Sequence, residues 1–242
     1  SSLPMEDQIR LHGTLKGQLL VVADGLGGHV AGDKASALVI RTITEYVLNT
    51  VHCFCRLECD EDELRSELEV AFHKAQAALE QEGRDRPERE GMGTTLTMAY
   101  VMWPRMYLVH AGDSRAYVCR HGSLSQVTRD HTLMQEMIDI GAVSPEDADG
   151  SPLNHVLANA MLARDDADVT PEAYQVELEA GDVVMLCSDG LYGHVGDDAM
   201  VEVLSGDATS RAMCEDLVQR AKDDGGTDNI TTVVARYPDG DP

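Results

Sequence analysis

Three apolar runs, residues 94–102, 106–111 and 115–119, follow one another with only a few residues between them. A parallel connection needs a crossover of about a dozen residues or more, so neighbours joined this tightly pair antiparallel. Trp103-Pro104-Arg105 and His121-Gly122 supply turn chemistry between runs. Further β-type runs at 17–23, 174–178, 183–187 and 230–237 carry the pattern along the chain. Between them lies helical periodicity. Ala35, Leu38, Val39, Ile43, Tyr46 and Val47 line one helical face after a start predicted at Asp33, and Leu64, Leu68, Ala71, Phe72, Ala75 and Leu79 line another. Glu61, Asp62, Glu67 and Glu69 read as the solvated side of that second helix. A short helix is predicted over 132–140 and a longer one over about 207–222. The class is α+β, with helices packed outside mostly antiparallel sheets.

Residues 82–92 and 141–153 read as irregular, the first charged with Gly and Pro, the second carrying Pro145, Gly150 and Pro152. Neither marks a domain boundary, and no internal repeat is present, so residues 1–242 are expected to form one domain. The 19 Lys and Arg against 43 Asp and Glu give a formal charge of −24. That balance excludes nucleic-acid binding by backbone electrostatics and attraction to anionic membranes. No apolar run approaches the roughly 18 residues of a membrane span. Ser1-Ser2-Leu3-Pro4 lacks the basic-then-apolar layout of a signal peptide, so a cytoplasmic address is expected.

Six cysteines are too few for a disulfide scaffold. Cys119 and Cys187 sit in apolar runs and read as core. His52, Cys53, Cys55 and Cys59 cluster, but without the paired spacing of a structural zinc site, and read as surface residues near a helix end. Asp147-Ala148-Asp149-Gly150 looks like the start of a calcium loop, yet the twelfth position is Ala158 rather than glutamate, so it reads as a loop.

Aspartate repeatedly ends a β run: Asp24-Gly25 after the first, Asp113 after the 106–111 run, Asp189-Gly190 after the 183–187 run, and Asp228-Asn229 ahead of the last. Asp-Gly is also a common hairpin signal, and any single pair reads most simply as a turn. Carboxylates on several strand ends that converged would suit hard divalent cations.

The ordered series Val21-Val22-Ala23-Asp24-Gly25-Leu26-Gly27-Gly28-His29, Gly93-Thr94-Thr95, Ala111-Gly112-Asp113-Ser114-Arg115, Cys187-Ser188-Asp189-Gly190-Leu191 and Gly226-Thr227-Asp228-Asn229-Ile230 resembles the motifs of bacterial PPM/PP2C-type metal-dependent serine/threonine protein phosphatases. Met5-Glu6-Asp7 is similar to that family's Asn-Glu-Asp motif. The resemblance spans nearly the whole chain. It implies an α-β-β-α sandwich, two antiparallel sheets face to face with helices outside and metals at one end. It implies that Asp24 bridges two divalent ions, Mn²⁺ or Mg²⁺, that Gly25 offers a carbonyl to the second, and that Asp189 and Asp228 hold the first. Glu6 and Asp7 resemble the pair that holds metal-bound waters, and Asp113 the ligand of a third, weaker ion. The implied reaction is hydrolysis of phosphoserine and phosphothreonine in proteins by direct attack of a water shared between two cations, opposing a kinase in bacterial signalling. His29 reads equally as proton donor to the leaving alkoxide and as a structural histidine.

Several positions depart from the family. Ser2 stands where an arginine usually grips phosphate, Met5 replaces the asparagine, Gly193 replaces a second aspartate expected to help the third ion, and Asn159 stands where arginine is common. Weaker phosphate binding is expected, because serine lacks the bidentate guanidinium fork. Residues 132–155 then read as a flap beside the site. A phosphoprotein-binding module of the same fold, and a hydrolase of small phosphate esters, are the competing readings. The partners implied are phosphoprotein substrates and a kinase pathway, for a monomeric chain.

Overall fold

The computed structural model describes residues 17–27, 29–51, 61–148, 150–165 and 167–237, with the backbone alone at 29, 30, 51 and 61. In chain order the elements are β1 (Gly17–Val22), β2 (Gly25–Leu26), α1 (His29–Tyr46, continued by a π-helical turn, Val47–Val51) and α2 (Glu61–Asp85). There follow β3 (Gly93–Thr94), β4 (Leu96–Met102), β5 (Arg105–Ala111), β6 (Arg115–Arg120), β7 (Ser123–Gln126) and α3 (Leu133–Asp139). The chain closes with β8 (Met161–Leu162), β9 (Glu172–Glu177), β10 (Val183–Cys187), α4 (Asp189–Tyr192), α5 (Asp197–Leu204), α6 (Ser210–Asp223) and β11 (Thr232–Arg236).

Two four-stranded antiparallel sheets, β1-β4-β5-β9 and β11-β10-β6-β7, carry the architecture, with a small β2-β3-β8 sheet beside them. Successive strand residues point to opposite faces, and both faces are covered. In β4, Leu96, Met98 and Tyr100 meet α1 and α2, while Ala99 and Val101 meet the other sheet. In β10, Val183, Met185 and Cys187 face the C-terminal helices, and Val184 and Leu186 face inward. The result is the layering α-β-β-α, and it explains why these strands read as continuous apolar runs. Met106, Leu108, Ala116 and Val118 join the layer between the sheets. Met106, Leu108 and Val118, withdrawn from water, each contribute about 1.5–3 kcal/mol.

Helix α1 buries Ala35, Val39 and Ile43, and α2 buries Leu64, Leu68, Ala71, Phe72, Ala75 and Leu79. Three boundaries differ from the sequence expectation. Helix α1 begins at His29 rather than Asp33. Helix α2 runs through Gly83 to Asp85, so the loop expected from residue 82 is shorter and includes a 3-10 turn, Pro87–Arg89. Gly83 does not break the helix because its lack of a side chain is used for packing: a Cβ there would stand 2.5 Å from the Ala163 carbonyl oxygen. Helix α6 begins at Ser210, capped by Thr209, whose hydroxyl accepts from the Ala212 amide. Strand β7 was not legible because Ser-Leu-Ser-Gln has little apolar content; the His121-Gly122 turn, with φ of 50° and 76°, folds it onto β6.

Residues 133–156 form an excursion of α3 and two 3-10 turns, Pro145–Asp147 and Pro152–His155. Its ends are tied together: Leu133 N donates to Val156 O, Ala158 N donates to His131 O, and Thr132 bridges Leu157. Cys119 and Cys187 are buried, whereas the cluster from His52 to Cys59 lies outside the described residues. Among the described residues no helix is long and apolar enough to cross a membrane.

Candidate metal centre

Antiparallel register carries four aspartates to one end of the sandwich. Val22 at the end of β1 pairs with Thr97 near the start of β4, and Leu96 at that start pairs with Ala111 at the end of β5. Asp24 therefore emerges near the Gly112-Asp113 turn. In the second sheet Cys187, ending β10, pairs with Arg115, opening β6, and with Thr232, opening β11. Asp189 and Asp228 leave the sheet at that same end.

Each carboxylate is seated by its local backbone. The Asp24 amide donates to Thr95 Oγ1 at 2.9 Å, and its carbonyl accepts from Thr95 N and Thr94 Oγ1, both at 2.8 Å. A Cβ on Gly25 would lie 2.3 Å from the Gly32 carbonyl carbon, so this glycine pair lets the first turn of α1 rest directly on the backbone that carries Asp24. Gly112 has φ +117°, which turns β5 into the Asp113 loop. Thr95 Oγ1 meets Ser114 Oγ at 2.7 Å, and Thr97 Oγ1 donates to Ser114 O at 2.7 Å, so one threonine ladder supports both the Asp24 and Asp113 turns. Tyr192 adds a bond from its hydroxyl to Asp113 O at 3.1 Å. Ser188 Oγ accepts from Thr231 N and donates to Asn229 O, both at 3.1 Å, which ties the Asp189 turn to the Asp228-Asn229 loop.

The carboxylates crowd one another. Asp24 is pushed up to about 7, first by burial and then by the charge and hydrogen bond of Asp189 and the charges of Asp228 and Asp113. Asp113 is also pushed up to about 7, by burial and the charges of Asp189 and Asp130. Buried carboxyls this close lack a counter-charge. Arg115 supplies it only in part, its charge lowering Asp113 against the burial and the neighbouring carboxylates: its guanidinium forks onto Asp130, Nε to Oδ1 at 2.9 Å and Nη2 to Oδ2 at 2.6 Å, and lies 3.6 Å over the Tyr192 ring. Asp189 Oδ1 is buried without a hydrogen-bond partner among the described residues, where a buried carboxylate oxygen is ordinarily satisfied.

Among the described residues no three His, Cys, Asp or Glu side chains form a ready-made cage for a metal ion, yet the charges of Asp189, Asp228 and Asp113 all bear on Asp24. An all-oxygen donor set with an orphaned carboxylate oxygen fits a hard divalent ion.

Of the residues singled out in the sequence, Asp24, Gly25, Asp113, Asp189 and Asp228 meet at this end. Glu6, Asp7, Ser2 and Met5 lie outside the described residues, and of His29 only the backbone, opening α1, is described. Gly193 caps α4 and is exposed, offering no side chain to Asp113. Asn159 Nδ2 donates to Thr170 O at 2.7 Å and to His131 Nδ1 at 3.0 Å, so it supports the loop scaffold behind Asp113. Sequence reasoning missed Thr97, Tyr192 and His131, and quoted Ser114 within a motif without a role. The alternating Thr95 and Thr97 on a strand otherwise apolar was the available signal, since a buried hydroxyl needs a partner.

The chain matches the family model for protein phosphatase 2C over residues 1–235 and belongs to that family. It is 37% identical over 226 residues to the serine/threonine protein phosphatase PstP of Mycobacterium tuberculosis, covering 93% of this chain and 41% of PstP. It thus spans less than half the length of that relative. The serine/threonine phosphatase Stp of Listeria monocytogenes is 30% identical over 216 residues, covering 89% of this chain and 83% of Stp. The crystal structure of M. tuberculosis PstP superposes with a TM-score of 0.79 at 36% identity over 91% of this chain and 88% of that one. The PstP catalytic domain in complex with two manganese ions gives 0.77 at 37% identity, over the same shares, 91% and 88%.

Proposed function

We propose that the chain is a metal-dependent protein serine/threonine phosphatase, a phosphoric monoester hydrolase acting on phosphoserine and phosphothreonine. The observation that carries this reading is the meeting of Asp24, Asp113, Asp189 and Asp228 at one sandwich end, with Asp24 and Asp113 pushed up to about 7 and Asp189 Oδ1 unpartnered among the described residues. Family membership and the manganese-bound PstP relative support it.

Asp24, Asp189 and Asp228 would hold two divalent ions, Mn²⁺ or Mg²⁺, with the Gly25 carbonyl as a further donor, Glu6 and Asp7 holding their waters, and Asp113 serving a third ion. When bound, such ions would lower the pKa of a water for direct attack on phosphorus and would neutralise the phosphoryl oxygens. The chain's own work is positional. The threonine ladder and the Gly25-Gly32 contact fix the backbone that carries Asp24, and the Ser188 bonds tie the Asp189 turn to the Asp228-Asn229 loop. Arg115 is committed to Asp130 and Tyr192 rather than held free for a phosphate. His29, opening α1, is the candidate donor of a proton to the leaving alkoxide. Residues 132–155 act as a flap that shapes which phosphoprotein fits, within a single phosphatase domain, in a cytoplasmic kinase-opposing pathway.

Phosphate release from a phosphothreonine peptide, compared with an aryl phosphate at equal concentration, tests the substrate class. The proposal expects Mn²⁺-dependent release from both, abolished by chelator, with the larger kcat/KM on the peptide. A preference confined to the small ester would favour a small-molecule hydrolase, and metal uptake without release from either would favour a binding module.

A further inference from the structure

His131, a buried residue at the root of the 133–156 excursion, grips the backbone of Gly112 from both sides. Its amide donates to Gly112 O at 2.8 Å, and the Gly112 amide donates back to its Nδ1 at 3.2 Å. Asn159 Nδ2 donates to the same Nδ1 at 3.0 Å, so that nitrogen is an acceptor and the ring proton sits on Nε2, facing Glu172 Oε1 at 3.3 Å. Gly112 leaves the grip no slack. Its φ is +117°, and a Cβ there would stand 2.5 Å from Thr95 Cβ, so the turn is pressed against the ladder that seats Asp24 while His131 holds it from behind. The next residue is Asp113. We propose that His131 is a positioning residue for the Asp113 carboxylate: by accepting the Gly112 amide hydrogen it fixes the turn in the one orientation that aims Asp113 at the other carboxylates, with Asn159 as its support.

The proposal rests on the metal reading of the carboxylate cluster, and its test separates the two. Mn²⁺ is titrated calorimetrically into the wild-type chain and into His131→Leu, which removes the acceptor, and His131→Asn, whose Oδ1 falls near the position of Nδ1. Supporting partners of metal ligands are worth about 10–100-fold in affinity, so the Leu variant should lose about tenfold or more at its weakest Mn²⁺ site and the Asn variant should recover most of that. In an Asp113→Asn background the Leu substitution should change nothing further, because the carboxylate it positions is gone. Equal affinity in wild type and the Leu variant, or a loss that persists in the Asp113→Asn background, overturns the proposal. Should the Leu variant not fold, His131→Gln replaces it: its acceptor reaches one bond too far, so weakened Mn²⁺ binding supports the proposal and unchanged binding overturns it. A wild-type chain that takes up no Mn²⁺ overturns the metal reading itself, and the role of His131 with it.

Discussion

A carboxyl group held near a pKa of 7 binds a proton where an ordinary aspartate binds none, and Asp24 and Asp113 are both in that state because burial and Asp189 oppose their ionisation. The metal-free fold therefore holds more protons than the unfolded chain between pH 3.8 and about 7. With these groups alone, its stability is greatest at the acid end of that window and falls as pH rises through it. A divalent ion that displaces the protons removes the penalty, so the gap in Tm between Mn²⁺-loaded and chelator-treated protein should widen between about pH 5 and pH 7.5. A gap independent of pH would contradict the assignment. His110 acts in the opposite sense: burial and His131 push it down to about 3, so it lowers stability on acidification in both samples and cancels in the difference. At His29 the test is the leaving group. A proton donor matters for an alkoxide and little for an acidic phenol, so His29→Ala should slow phosphothreonine hydrolysis roughly a hundredfold and spare an aryl phosphate. Equal losses on both substrates would make His29 structural.

At the scale of elements, close backbone approaches decide where helices and strands meet, and they invert ordinary propensity. Alanine normally stabilises an exposed helix position over glycine by about 1 kcal/mol. In α2, Gly83→Ala should instead destabilise by about 1–3 kcal/mol, because its Cβ would meet the Ala163 carbonyl oxygen at 2.5 Å. Thermal melting reads the sign directly, and a raised Tm would mean that the backbone at Ala163, just past β8, yields. Such contacts also mark the limit of what the sequence made legible. The 94–102, 106–111 and 183–187 runs were readable because both their faces are covered, leaving stretches that are mostly apolar. The two-residue strands β2, β3 and β8 were not, since their pairing depends on α1 and α2 bringing distant backbone together. The same holds for the candidate site. The aspartates at strand ends were visible with their motifs, whereas Tyr192 and His131 reach the Asp113 loop from 79 and 19 residues away, separations no local pattern encodes.

The whole molecule carries a formal charge of −24, so its field favours substrates with Lys or Arg around the phosphorylated residue. A phosphothreonine peptide with basic flanks should show a kcat/KM advantage over one with acidic flanks, shrinking as salt rises from about 0.02 M to 0.3 M, where the screening length falls below about 10 Å. An advantage unaffected by salt would place recognition in local contacts instead. The sandwich presents its aspartates together only because two sheets end at one edge, which makes Asp189 the most direct probe of the whole account. Its charge raises the pKa of both Asp24 and Asp113, and its Oδ1 has no partner among the described residues. The decisive measurement is phosphate release from a phosphothreonine peptide by wild type and Asp189→Asn across a Mn²⁺ titration, with folding monitored in parallel. Turnover in the wild type should depend on Mn²⁺ and, in a folded variant, should be lost together with high-affinity Mn²⁺ binding. Undiminished turnover in Asp189→Asn would contradict it.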